Sequence, residues 1–170
     1  MEEIEAAGKQ IHAMYWKAMH LMEEYETAEV TQFLEKAREA GLVDTRKNMT
    51  EVHVISCIGN NEPINITMIA DKMDLSKASI SKISVKLQEE GFIRKSQLND
   101  NKKEIYFRLT PKGKKLFMLH EDLHQKGKDH FFHFLQKYSL QELHFIKRLI
   151  QDITDELEQS LIDNGKKDTK

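Results

Sequence analysis

Residues 66–93 read ITMIADKMDLSKASISKISVKLQEEGFI, and this stretch alone contains two helices separated by a tight turn. Ile66 to Met73 has the spacing of a short apolar helix, and Leu75 falls in the turn. Ser76 is an N-cap residue, able to accept a backbone N–H from the first turn of the helix that follows. That second helix is expected to run to about Glu90, with Gly91 past its end. Ile80, Ile83 and Leu87 form an inward stripe and leave Lys77, Ser79, Ser81, Lys82 and Lys86 pointing outward.

Upstream, Glu2 to about Ala40 holds strong helix formers and no proline, with Ile4, Ile11, Tyr15, Met19 and Met22 at helical spacing. One long helix or two in tandem are expected, ended by Gly41. After the polar DTRKN, Thr50 is expected to cap TEVHVISCIG (50–59), which Gly59 and the turn residues NNEP stop. Downstream the period changes. FIRKSQL (92–98) and EIYFRL (104–109) are rich in aromatic and β-branched residues and are joined by NDNKK, the pattern of an antiparallel hairpin with a basic tip. Thr110-Pro111 starts a helix to about Lys137, and SLQE (139–142) is a capping box for another to about Ile162. The expected organisation is a helical dimerisation segment over 1–44, a winged helix-turn-helix over 45–110, dimerisation helices over 111–162 and a disordered tail over 163–170. The fold class is therefore mainly α with a small β-hairpin wing.

A chain of 170 residues suits one domain with a dimerisation extension. Its 39% hydrophobic and 32% charged composition is lean for a monomer, and Phe131, Phe134, Leu143, Ile146, Leu149, Ile150, Ile153 and Leu157 offer stripes for a homodimer. No apolar run is long enough to span a membrane, MEEIEAAGKQ lacks a signal-peptide core, and the single Cys57 fits a reducing compartment; a cytoplasmic protein is expected. The net charge of −2 is unevenly spread. Residues 77–115 carry eleven Lys or Arg against four acids, about +7, leaving about −9 elsewhere. That concentration points to a polyanion, the bland alternative being a solvated helical face; the partner expected from the helix-turn-helix is double-stranded DNA.

"MTEVHVISCIG", "ITMIADKMDLSKASISKISVKLQEEGFI" and "KEIYFRLTPKGKKL" together resemble the MarR family of bacterial transcription regulators, over about residues 45–120. The resemblance implies a homodimeric repressor-type regulator that binds a pseudo-palindromic operator and has no enzymatic activity. Residues at and after Ser76 are the expected readers: Ser79, Ser81 and Lys82 on bases, Lys77 and Lys86 on the backbone, and Lys102 and Lys103 of the wing on a neighbouring groove or phosphate. Where the family commonly has Asp-x-Arg at the wing tip, this chain has Asn101-Lys102-Lys103, and lysine lacks the planar fork of arginine.

HEDLH (120–124) matches H-E-x-x-H, the zinc-holding pair of metallopeptidases with its general-base glutamate. A peptidase also needs a third ligand and a substrate cleft, for which a chain organised around a DNA-binding unit leaves little room. A metalloenzyme would lose peptide turnover on Glu121→Gln, whereas the regulator reading leaves Glu121 dispensable. Zinc-responsive members of the MarR family look similar at His53, His120 and His124, with Glu35 at the matching distance before His53 and Glu39 as its substitute. Three imidazoles and a carboxylate make a closed tetrahedral set, suited to regulation rather than catalysis. The resemblance also implies that the zinc-loaded form binds DNA better. The bland alternative is surface and core histidines. Other relatives bind small organic effectors in a crevice that Met14, Tyr15, Trp16, Met19, Phe117 and Met118 would line here, and a winged-helix module that only contacts proteins is the remaining class.

Overall fold

The computed structural model describes residues 2–44, 47–98 and 101–165. In chain order the elements are α1 (Glu2–Glu39), α2 (Met49–Asn61), β1 (Ile64–Asn65), α3 (Ile66–Met73), α4 (Lys77–Glu89), β2 (Ile93–Leu98), β3 (Asn101–Leu109), α5 (Pro111–Leu135) and α6 (Leu140–Gly165). They fall into two compact units, residues 1–124 and 125–170, with α5 contributing to both. Helices dominate, and the strands form one small sheet, as the sequence leads one to expect.

In the first unit, α1 is a single helix that ends where Leu42 N–H bonds back to the Ala37 carbonyl at 2.9 Å. Only its last turns reach the core, through Phe33 and Ala37; Ile4, Ile11, Met14, Trp16 and Met22 stay exposed. The cap of α2 differs from expectation. Asn48, not Thr50, accepts the Glu51 N–H, at 3.0 Å, so Thr50 lies inside the first turn. This earlier start turns Glu51 inward. Gly59 likewise does not stop α2, which runs on to Asn61. A Cβ at Gly59 would stand 2.6 Å from the Phe117 ring, so glycine is there for the approach of α5.

The helix pair follows the sequence closely. Asp74 sits between the two helices in the left-handed region (φ 51°), and Ser76 caps α4 by accepting Ser79 N–H at 3.1 Å. The wing gains a strand that the sequence did not reveal: β1 pairs with β3, Ile64 opposite Phe107, giving the order β1-β3-β2. Two residues are too few to show a period. Asn101 to Lys103 belong to β3 rather than to a loop, with Leu98 opposite Asn101 and a register shift after Ser96. Asn99 and Asp100 lie outside the described residues.

The junction between wing and α5 explains Leu-Thr-x-x-Gly. The Thr110 hydroxyl is shared between the carbonyls of Gly91 (2.6 Å) and Phe92 (3.1 Å), while its oxygen accepts Gly113 N–H at 3.1 Å. Gly91 is left-handed (φ 75°), as the residue past a helix end often is. A Cβ at Gly113 would stand 2.1 Å from the Phe92 carbonyl oxygen, so no larger residue fits without moving backbone. Phe92, Phe107, Leu109 and Leu116 close the core here with Ile55, Ile58 and Ile69.

In the second unit, Ser139 and Glu142 form the expected reciprocal box: Ser139 N–H donates to the carboxylate at 2.8 Å and Glu142 N–H to the hydroxyl at 3.3 Å. Phe131 stacks on Phe134, Tyr138 meets Phe134 edge to face, and the Lys137 ammonium lies 3.9 Å from the Phe134 centroid. Phe131, Phe134, Phe145, Leu149, Ile150 and Leu157 are nevertheless exposed. Helix α6 takes in residues 163–165 of the expected tail, and 166–170 lie outside the described residues. Among the described residues no helix is long and apolar enough to cross a membrane.

Gly113→Ala is expected to destabilise the fold by about 2 kcal/mol through overpacking against backbone. Urea denaturation followed by circular dichroism measures this directly; an unchanged midpoint would show that the junction can yield.

Candidate functional site

Helix α4 buries Ile80, Ser84 and Leu87 completely or nearly so. Its opposite side exposes Lys77, Ser79, Ser81 and Lys82, as expected, together with Ser76 at the cap. The Ser76 and Ser79 hydroxyls lie 2.8 Å apart, so the cap residue is tied to the helix it starts. Ala78 and Val85 share the exposed side. Val85 could have been found from its position, since it falls outside the Ile80–Leu87 stripe. On β2, Arg94 and Lys95 are exposed as well. The side chains of Lys102 and Lys103 lie outside the described residues, although their backbone is part of β3.

Lys86, expected on the DNA backbone, is 41% exposed and is also engaged within the protein. Its ammonium bonds Glu51 of α2 and lies 3.8 Å from Glu90. The cause is a buried ion network. Lys47, itself buried, pairs with Glu90 and lies 3.1 Å from Glu51, which is only 4% exposed. Lys47 and Lys112 both approach the Phe92 ring, at 4.5 and 4.3 Å from its centroid, and Lys112 also bonds the Glu90 carbonyl at 3.1 Å. Burial pushes the Glu51 carboxyl up, but hydrogen bonds from Lys86 and Lys47 and their charges outweigh it and leave it below its ordinary value.

The second constellation joins α2 to α5. His120 is 2% exposed, with the His124 ring 4.3 Å and the His53 ring 5.3 Å from its own, centroid to centroid. The Nε2 atoms of His120 and His124 are 3.2 Å apart. On its other side, His120 Nδ1 lies 3.2 Å from Ser56 Oγ, and the Ser56 hydroxyl donates to Glu121 at 2.8 Å. Burial, then the neighbouring His124 and His53, push His120 down to about 4 against the pull of Glu121; burial and His124 also lower His53. Both imidazoles are therefore held neutral near pH 7, the form that can bind a metal.

The structure brings the three histidines together but not Glu35. Phe33 is the α1 residue that meets His120, edge to face at 5.5 Å, and it is 2% exposed. Glu35 stands two residues on, about 200° around the helix, and Glu39 stands in the same relation to Ala37; both are exposed. The donors fit zinc in kind, since two imidazole nitrogens on one tetrahedral ion are about 3.3 Å apart. Yet among the described residues no three His, Cys, Asp or Glu groups are already arranged to hold a metal ion. The cluster supplies donors, not a finished shell.

The proposed organic-effector crevice is only partly assembled. A cavity of about 510 Å³ is lined by Ala40, Leu42, Lys115, Met118 and Leu119. Of the residues named from sequence only Met118 lines it; Met14, Trp16 and Met19 are exposed on α1, and Phe117 lies against Gly59. Cys57 is half-buried, and burial pushes its thiol up despite the Lys72 charge, which disfavours the reactive thiolate.

Residues 47–105, from the ion network through the helix pair into the wing, match the model of the MarR family. The HTH-type transcriptional regulator PchR of Bacillus subtilis (strain 168) is 44% identical over 153 residues, 90% of each chain. The chain belongs to the MarR family. Among solved MarR-like folds, Lactococcus lactis ZitR in complex with DNA is similar with a TM-score of 0.59 and 23% identity, over 68% of this chain and 78% of that one. Streptococcus pneumoniae FabT in complex with DNA gives a TM-score of 0.61 at 16% identity, over 85% and 98%. As a MarR-family protein the chain is a DNA-binding transcription regulator with a winged-helix fold. Its relatives are named transcriptional regulators, which lends no support to reading HEDLH as a peptidase motif.

Glu51→Gln is expected to cost about 2 kcal/mol at pH 7, because it leaves the buried Lys47 and the part-exposed Lys86 to share Glu90 alone. The lowered carboxyl contributes stability that is present above its unfolded value and lost as pH falls through the folded one. Wild type should therefore lose stability below about pH 4.5 more steeply than the variant. Denaturation midpoints from pH 7 to 3 test it; parallel curves would contradict the network.

Proposed function

We propose that the chain is a homodimeric, cytoplasmic regulator that reads a pseudo-palindromic operator with α4, and that its effector site is the His53–His120–His124 cluster. The observation that carries this reading is the position of α2. The same helix holds α4 through Glu51 and reaches the histidines of α5 through His53 and Ser56. The homodimer is supported by the exposed apolar stripes of α1 and α6, which the chain itself leaves uncovered.

On DNA, Ser79, Ser81 and Lys82 are assigned to bases, with Ala78 and Val85 available to thymine methyl groups. Lys77 and the wing residues Lys102 and Lys103 neutralise phosphates, joined by Arg94 and Lys95. Lys86 is not assigned a DNA contact. Two-fold symmetry places the half-sites about one DNA turn apart.

Zinc is the proposed effector, held by His53, His120 and His124. What the ion supplies when bound is a cross-link between α2 and α5. His120 contributes a neutral imidazole fixed from behind by Ser56, and His124 contributes one from the next turn. Phe33 excludes water on the α1 side and stands where a fourth ligand would come from that helix, so Glu35 is not assigned to the shell. By the rule of linkage, zinc binding that favours the DNA-competent form raises operator affinity, and operator raises zinc affinity by the same factor.

Duplexes selected in vitro with zinc and with chelator provide the test. Lys82→Ala is expected to weaken binding to the selected operator at least tenfold, and affinity to fall steeply with salt; unchanged binding would remove α4 as reader. In zinc titrations His53→Ala, His120→Ala and His124→Ala should each lose one tight site, while Glu35→Ala keeps it. Retention of the site in the three histidine variants would end the zinc reading.

A further inference from the structure

Glu121 is the second residue of HEDLH, and a DNA-binding regulator has no use for it as a general base. From its geometry we infer that Glu121 is a positioning residue: acting through Ser56, it fixes the tautomer of His120 and so leaves His120 Nε2 with a bare lone pair facing His124. This deepens the reading of the histidine cluster as effector site and rests on it only for its purpose.

The inference follows from counting protons. A serine hydroxyl has one hydrogen to give, and a carboxylate can only accept. Ser56 lies 2.8 Å from Glu121 Oε1, so its hydrogen is spent there. The 3.2 Å contact between Ser56 Oγ and His120 Nδ1 must then run the other way, with Nδ1–H donating to the hydroxyl oxygen. A neutral imidazole carries one N–H. With Nδ1 protonated, His120 Nε2 is an acceptor, and the 3.2 Å contact to His124 Nε2 is His124 donating to it. The relay is directional from His124 through His120 and Ser56 to Glu121.

The placement makes this a built arrangement. Ser56 is 8% exposed on α2 and His120 is 2% exposed on α5, so water has little access to substitute for either partner. Glu121 is 43% exposed, and the carboxylate keeps its solvation while holding the one acceptor that orients the chain of bonds. Sequence reading left Glu121 dispensable, because its partner lies 65 residues away on another helix. A ring nitrogen that donates to a fixed acceptor while the other presents its lone pair is the arrangement in which histidine binds metals.

The test is ¹⁵N imidazole NMR on the metal-free full-length protein, comparing wild type with Ser56→Ala, Glu121→Ala and Glu121→Gln. Wild-type His120 should show a protonated Nδ1 and a bare Nε2. Glu121→Ala frees the serine hydrogen to turn toward Nδ1, and Ser56→Ala removes the acceptor; both should shift His120 toward the Nε2–H tautomer. Glu121→Gln keeps a carbonyl acceptor and should restore the wild-type signature. An unchanged His120 signature in Glu121→Ala, or an Nε2–H tautomer in wild type, overturns the inference. Zinc titration of the same proteins reads the consequence: affinity should fall about 10- to 100-fold in Ser56→Ala and Glu121→Ala and recover in Glu121→Gln. If wild type binds no zinc but the tautomer responds as stated, the zinc proposal fails and the positioning role of Glu121 stands.

Discussion

A carboxylate buried between two lysines holds the second helix of the pair, α4, where it is. Glu51 sits on α2 with 4% of its surface exposed, Lys47 enters from the preceding loop and Lys86 from the last turn of α4. Glu90 takes the second share of both lysines. Removing Glu51 would leave the buried Lys47 with Glu90 as its remaining carboxylate, which is costlier than losing a surface pair. Helix α4 is thus fixed at its C-terminal end by charge, at its N-terminal end by the Ser76 cap and along its length by Ile80 and Leu87. What remains free is the side carrying Lys77, Ser79, Ser81 and Lys82. The positive window of the sequence therefore divides into lysines that hold the fold, Lys86 and Lys112, and basic residues that face outward, Lys77, Lys82, Arg94 and Lys95.

Helix α2 is the element common to both constellations. Glu51 faces α4, whereas His53 and Ser56 meet α5. Glu51 and Ser56 are five residues apart on α2, less than two turns, so a rotation of α2 at the histidine cluster also moves Glu51 and the end of α4. Helix α2 is thus held on two sides, by α4 through Glu51 and by α5 through Ser56. Its close approach to α5 depends on Gly59, beside Phe117, and the start of α5 depends on Gly113 beneath Phe92.

Local chemistry was legible in the sequence. Ser76, Thr110-Pro111, the Ser139–Glu142 box and Gly91 mark boundaries that the structure keeps, because each acts on atoms within a few residues of itself. Long-range choices were not. Asn48 and Thr50 are both able to cap α2, and the choice follows from where Glu51 must point. Gly59 reads as a stop until Phe117 is seen against it, and Lys86 reads as a surface lysine until Glu51, 35 residues away, is found to hold it. The three histidines could be gathered by spacing and resemblance; the phase of α1 could not, and it places Phe33 at His120 while Glu35 faces away. Two-residue β1 carried no periodic signal at all.

The most direct measurement of the central claim uses the chain's single cysteine. In a Cys57→Ala background, Ser79→Cys tethers an iron chelate to the outer side of α4, and cleavage of a bound operator duplex maps where that side lies. Two symmetric sets of cuts about one DNA turn apart are predicted, since two copies of α4 should enter successive stretches of major groove. A single set of cuts, or intact DNA in a complex shown to be bound, would contradict the account.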